Sequence, residues 1–294
     1  MFQGEELQKL VELLKERDAY LYHACQLLDF QSYLNVGGIP SRSHLESNRQ
    51  LYTGFETDEK DRSRQVWDKV FGNLEDFGRT FASGKPAVPN PFGPILFQIK
   101  PEALYEATDV AICLRSAGRP GFNRENEALS SIQDVDRLFL YPIEHSKSYF
   151  VKHPTQLQEE FTPTASKASA PEISCTVVSG LFPLHYVNYV RVEPYIIQRQ
   201  PLQAKVKEII SNKGAKFKVF ERDLDRCPPY TNELLEIIKS DLPSLQNLSQ
   251  NPRVSLELRD WSIKLMEKNL EYQFNRFAKY LYHGTILPIL KGQL

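Results

Sequence analysis

A change of period between residues 20 and 42 constrains this chain more than any other stretch. Ala19 to Cys25 is a short apolar run, read as a buried strand with a polar interruption at His23. Leu27, Leu28, Phe30, Tyr33 and Leu34 then recur at helical spacing. Gly37 and Gly38 stop that helix, as glycine does at a left-handed C-cap, and Ile39-Pro40 leads into an extended turn before Ser41-Arg42. Strand, histidine, helix, Gly-Gly and a polar Ser-Arg have the shape of a nucleotide cradle. A histidine on a strand is, however, more often a satisfied core residue than a ligand contact.

Composition narrows the function classes. The 294 residues are 41% hydrophobic and 25% charged, enough for one large or two modest globular domains. No segment approaches about 18 consecutive apolar residues, so no membrane span is expected. The Met-Phe-Gln-Gly-Glu-Glu start has no basic region before an apolar stretch, so no signal peptide is expected either. Cys25, Cys113, Cys175 and Cys227 are scattered without CxxC spacing. They read as reduced core thiols in a cytoplasmic protein, with no metal site. A net charge of -1 argues against a constitutive duplex-DNA binder but leaves room for a local basic groove.

In chain order, residues 4–18 form an amphipathic helix with early glutamates and a late Lys-Arg, which suits the helix dipole. Residues 47–83 are polar and then mixed, and the charge cluster Asp58–Arg64 reads as a solvated loop on charge alone. After the breakers at 84–94 come a buried strand at Ile95–Ile99, a short helix at Pro101–Ala107 and a strand at Val110–Leu114. Residues 115–125 make a basic loop with one aromatic. Its Arg115, Arg119, Phe122 and Arg124 suit phosphates or single-stranded bases, or equally an exposed connection. The small polar run Thr162–Pro171 ends at Glu172, the first residue of a β-branched strand. A strand at Tyr186–Val192, a helix at Leu202–Asn212 and a strand at Lys216–Glu221 follow, and the alternation fits an α+β domain. Residues 232–249 and 253–283 read as helices, forming a C-terminal extension.

Over residues 19–225 the order of elements resembles the DarT-type ADP-ribosyltransferase toxins, which attach ADP-ribose from NAD to nucleobases. The resemblance rests on Tyr22-His23-Ala24-Cys25, Gly37-Gly38, Pro94-Ile-Leu-Phe-Gln-Ile, and Glu172 through Leu181-Phe182-Pro183 to the Val-rich strand after it. It implies an α+β fold of the ADP-ribosyltransferase type, a split antiparallel β-sandwich with flanking helices, over residues 1–225. Residues 226–294 would be an added helical extension. It also implies NAD as substrate and no metal. Glu172 would be the catalytic carboxylate, with Glu127 as runner-up. Arg62 would be the family arginine with Arg64 as its alternative, and His23, Ala24, Gly38, Arg62 and Arg64 would contact NAD.

Those residue types suit the chemistry. Displacing nicotinamide breaks a glycosidic C–N bond through an oxocarbenium-like transition state. A carboxylate there holds a ribose hydroxyl, offsets positive charge and accepts a proton from the attacking base. An arginine pairs with pyrophosphate in bidentate fashion. The expected acceptor is single-stranded DNA or RNA, and the expected role is that of a toxin or antiphage effector restrained by a cognate antitoxin protein. Two other readings stand beside it: a catalytically silent nucleotide- or RNA-binding module, and a protein-modifying transferase.

Overall fold

The computed structural model describes residues 1–76, 78, 86, 89–117, 121–140, 171–223 and 230–294. Helix α1 (Gly4–Glu16) buries Leu7, Leu10, Val11 and Leu14 against a 3-10 turn at Pro101–Glu106 and the strand that follows it. The change of period at 20–42 becomes β1 (Leu21–Cys25), α2 (Leu27–Val36) and β2 (Gly38–Pro40). Gly37 closes α2 at φ 80°, a left-handed conformation in which a Cβ is strained, and its N–H reaches the Tyr33 carbonyl. Helices α3 (Arg42–Ser47) and α4 (Asp58–Ser63) lead to β3 (Val70–Asn73), and β4 (Ile95–Ile99) and β5 (Ala107–Cys113) follow.

After two short helices, α5 (Arg124–Glu127) and α6 (Ile132–Asp136), come β6 (Glu172–Val177), β7 (Leu181–Pro183) and β8 (Val187–Val192). A ribbon, β9 (Ile196–Ile197) with β10 (Gln200–Pro201), precedes α7 (Leu202–Asn212) and β11 (Lys218–Glu221). Seven strands pair without a break in the order β11-β8-β4-β1-β3-β6-β5, antiparallel except for β11 with β8, while β2 and β7 form a separate ribbon. The class is α+β, as expected.

Strand parity divides the sheet into two chemically different faces. One carries Leu21 and Cys25 of β1, Phe97 and Ile99 of β4, Val190 of β8 and Ile173 of β6, all buried. Helix α2 covers it, with Phe30 stacked on Phe97 at 5.4 Å between ring centroids. The other face is largely polar and carries the site described below. Several residues of this face are nonetheless buried, among them Leu96, Gln98 and Ser174.

The C-terminal part contains α8 (Tyr230–Ser240), α9 (Leu245–Gln250), α10 (Leu256–Glu267), α11 (Glu271–Leu281), a π-turn (Tyr282–Ile286) and α12 (Leu287–Leu290). The helix expected over 232–249 breaks at Leu242-Pro243, and Ser244 caps the next one by accepting the Asn247 N–H. The one expected over 253–283 breaks at Asn269, which takes φ 54°. These helices share one continuous apolar core with the sheet.

A polar contact ties the two ends of the chain together. Gln26 precedes α2 but provides no side-chain cap. Instead the Thr285 hydroxyl accepts the Leu27 N–H at 3.1 Å and donates to Gln26 Oε1 at 2.8 Å, all of it buried. Thr285→Val keeps the shape and strands both partners, so we expect a stability loss of about 1–3 kcal/mol, with Thr285→Ser close to wild type. Urea denaturation of the two variants checks this.

Candidate active site

Direct cross-strand partners share a face. The register runs Glu172 to Asn73 to Tyr22 to Gln98 to Tyr189 to Lys218, one row across six strands on the polar face. Side chains link along it: Gln98 Nε2 donates to the Tyr22 hydroxyl at 3.1 Å, and Asn188 Nδ2 donates to Gln98 Oε1 at 2.6 Å. Ala24 lies on the same face in the next row, opposite Leu96, which in turn opposes Arg191.

Glu172 is the first residue of β6, as the sequence predicts, at the rim of the sheet between β3 and β5. The Ala117 N–H donates to its Oε1 at 2.8 Å. Burial pushes the carboxyl up from 4.5 to about 7; the bonds from Ala117 and Ser116 pull it back, Asp61 adds to the rise and Arg124 opposes it. The group therefore titrates near neutrality on a rigid element, which is what proton transfer at neutral pH requires. Asp61, on α4, is itself raised to about 6 by burial and by its neighbour Asp58.

The other carboxylate candidate is held by a partner within the fold. Glu127 is 3% exposed and forms a two-oxygen ion pair with the buried Arg115 guanidinium, which also donates to the Gly121 carbonyl at 2.8 Å. Arg115, expected among the contacts to single-stranded nucleic acid, is thus turned inward onto Glu127 and the Gly121 carbonyl. Arg119 lies outside the described residues, as does 162–170, the polar run before Glu172. Arg124 and Phe122 remain near the site: Arg124 acts on the Glu172 carboxyl, and the Arg64 guanidinium lies 5.8 Å from the Phe122 ring centroid.

His23 alternates with Tyr22 and Ala24 and so points to the opposite face, beneath α2. Its Nδ1 lies 2.8 Å from the Phe71 carbonyl, an acceptor only, so Nδ1 carries the proton. Nε2 then accepts from the Tyr33 hydroxyl at 3.1 Å. Burial lowers its basicity and keeps it neutral. Both ring nitrogens are used within the fold, and His23 is not gathered with Glu172.

Gly38 pairs with Pro183, and a Cβ there would stand 2.4 Å from Leu181 Cδ1 and 2.5 Å from the Phe182 carbonyl oxygen. Its bareness thus serves the β2–β7 ribbon. Arg62 is exposed, stacked on Trp67 at 3.8 Å and ion-paired with Glu46, whose carboxylate also accepts from Trp67 and Tyr52.

Arg42 closes the cradle stretch, and the resemblance gives it no role. It donates to Asp29 Oδ1 at 3.1 Å and to the Thr53 carbonyl at 3.1 Å, with Tyr52 and Phe55 rings 4.7 and 5.1 Å from its guanidinium carbon. Its place at the head of α3, right after the Gly-Gly turn, was the available signal. A second charged cluster borders the polar face. Arg222 grips both Asp76 oxygens at 2.9 Å and approaches Glu193 at 2.8 Å, and Arg191 reaches Asp76 at 3.2 Å. Among the described residues no group of three or more His, Cys, Asp or Glu side chains is arranged to hold a metal.

No protein-family model matches the chain, and no curated protein matches it in sequence. Solved structures do align with it. DarT of Thermus sp. 2.9 in complex with ADP-ribosylated ssDNA is 10% identical, with 71% of this chain and 95% of that chain covered and a TM-score of 0.39. The same protein in complex with carba-NAD+ is 13% identical, with 70% and 96% covered and a TM-score of 0.40. DarTG of Thermosipho africanus in complex with ADP-ribose is 12% identical, with 71% and 50% covered and a TM-score of 0.37. At these scores the alignments assign no residue, and the site stands on its own geometry.

Proposed function

We propose that this chain is an NAD-dependent ADP-ribosyltransferase that modifies a nucleobase of single-stranded DNA or RNA, with Glu172 as its catalytic carboxylate. The carrying observation is the Glu172 carboxyl itself: anchored at the end of a sheet strand, raised to about 7 by burial and held by the Ala117 N–H. The sequence resemblance supports the reaction class. Ionised Glu172 offsets the positive charge that develops on the ribose as the C–N bond to nicotinamide breaks. The leaving nicotinamide takes the bonding pair, the acceptor base forms the new bond to the same carbon, and Glu172 takes the proton the base gives up.

Ala24, on the face of Glu172, remains a candidate for the NAD cradle. Arg64, beside Phe122, is better placed than the Trp67-stacked Arg62 to meet a pyrophosphate. His23 acts by fixing β1 to α2, and Gly38 by seating β2. The resemblance extends the proposal to a toxin or antiphage effector with a cognate antitoxin.

The test is incubation with labelled NAD and separate pools of single-stranded DNA, duplex DNA, RNA and cell protein. Label on single-stranded nucleic acid, removed by nuclease, is expected. Label confined to protein, or no NAD consumption, would overturn the reading.

A further inference from the structure

The geometry points to the outer half of the polar sheet face as a binding track for single-stranded nucleic acid, formed by Tyr20, Tyr189, Arg191, Lys218 and Phe220 and continuous with the row that ends at Glu172. The inference deepens the proposed function by naming the surface that presents the acceptor. It starts from β11, whose outward residues differ in kind from those of a packing strand. Phe217 and Val219 turn toward the core, Phe217 meeting Phe97 edge-on at 6.3 Å. Lys218 and Phe220 alternate to the other side and pair in register with Tyr189 and Arg191. Phe220 is 47% exposed, a large apolar ring left to solvent.

The neighbours of Phe220 make this a platform and not an isolated exposed ring. Tyr189 stands edge-on to Phe220 at 5.5 Å, and the Arg191 guanidinium lies 5.2 Å from the Tyr189 ring. Arg191 also donates to the Tyr189 hydroxyl at 3.1 Å, and its bond to Asp76 holds it in place. Arg191 and Arg222 are matched in this cluster by Asp76 and Glu193, so the cationic character of the face comes from the lysines of and before β11. Lys216 and Lys218 are both exposed. Tyr20, just before β1, has the parity of Tyr22, and Tyr189 is among the groups that act on its hydroxyl.

Interleaved cations and aromatic rings are the chemistry of sequence-tolerant single-strand binding, with charge tracking the backbone and rings stacking bases. A duplex, its bases already stacked, gains only the charge contacts. Five strand spacings separate β11 from β6, so the track spans about 24 Å before it reaches Glu172. Arg124, which acts on the Glu172 carboxyl, and Phe122 lie at that end and would receive the strand there.

The experiment measures binding without NAD, so its failure and the failure of the transferase reading are distinguishable. Fluorescent single strands of DNA and RNA, each about ten nucleotides and within the usual site sizes of ~4–16, are titrated with the full chain by anisotropy, alongside a duplex. Lys218→Glu, Phe220→Ala and Tyr189→Ala are compared with an Arg253→Ala control on the C-terminal part, with circular dichroism to confirm that each folds. We expect preference for single strands and about a tenfold loss for each aromatic replaced. For Lys218→Glu we also expect a flatter salt dependence, with the slope changed by about 0.7 or more. Failure of the wild type to bind, equal binding of duplex, or folded β11 variants with unchanged affinity would overturn the assignment.

Discussion

Glu172→Gln is expected to retain NAD binding while transfer falls by ~10²–10⁴-fold, the scale for removing a positioned acid–base group. The amide keeps the size of the side chain and an oxygen for the Ala117 N–H, so the loss reads the charge and proton alone. The same variant carries a second, non-catalytic signature. A carboxyl raised from 4.5 to about 7 holds its proton more tightly in the fold than in the unfolded chain. That contribution to stability is complete below pH 4.5 and is lost as pH rises through 7. Glutamine has no proton to lose, so Glu172→Gln should gain on the wild type across this window, reaching roughly 1–3 kcal/mol at pH 8. Thermal melts of both proteins from pH 4 to 8 test it. Parallel curves would show that Glu172 is not desolvated, and full activity of Glu172→Gln would remove it from the chemistry. Glu127→Gln, by contrast, should act through folding, since its partner is Arg115 and not a substrate.

Asp29→Ala is expected to cost about 3–5 kcal/mol, because it removes the carboxylate paired with the Arg42 guanidinium and leaves that charge among Tyr52 and Phe55. Asp29 is 1% exposed and also accepts the Thr53 N–H at 3.0 Å, so one side chain orients both α3 and the 53–56 segment. Adding Arg42→Met should recover part of the loss, since the stranded charge goes with it. Denaturant titration of the single and double variants measures this. A single-variant cost under about 1 kcal/mol would mean that water reaches Arg42.

How far the sequence foretells this protein depends on whether a feature is local. Ile95–Ile99 and Leu202–Asn212 appear at their expected bounds, because a short, mostly apolar run and a helical period are properties of neighbouring residues. The strand that opens at Glu172 was legible for the same reason, whereas the role of its carboxylate came from the resemblance. Strand β3 was not legible, since Val70–Asn73 is four residues long and contains Gly72. Without β3 the register cannot be written, and without the register nothing shows that Tyr22 and Ala24 share a face with Glu172 while His23 does not. Arg115 misled for a related reason. A basic loop looks solvated until Glu127, twelve residues on, turns back to pair with it. Arg42 needed Asp29 and Thr53 together, a contact that no spacing rule contains.

The Thr285 bond also bears on how the protein comes to exist. Synthesis is vectorial, and Leu27 leaves the ribosome 258 residues before the hydroxyl that satisfies its amide. Closing so long a loop costs chain entropy, so that contact belongs to the late steps of folding. Every strand of the sheet is made before α2 receives its final restraint. A nascent chain therefore carries all its candidate catalytic residues before the start of α2, which covers the opposite face of the sheet, receives its tie to Thr285.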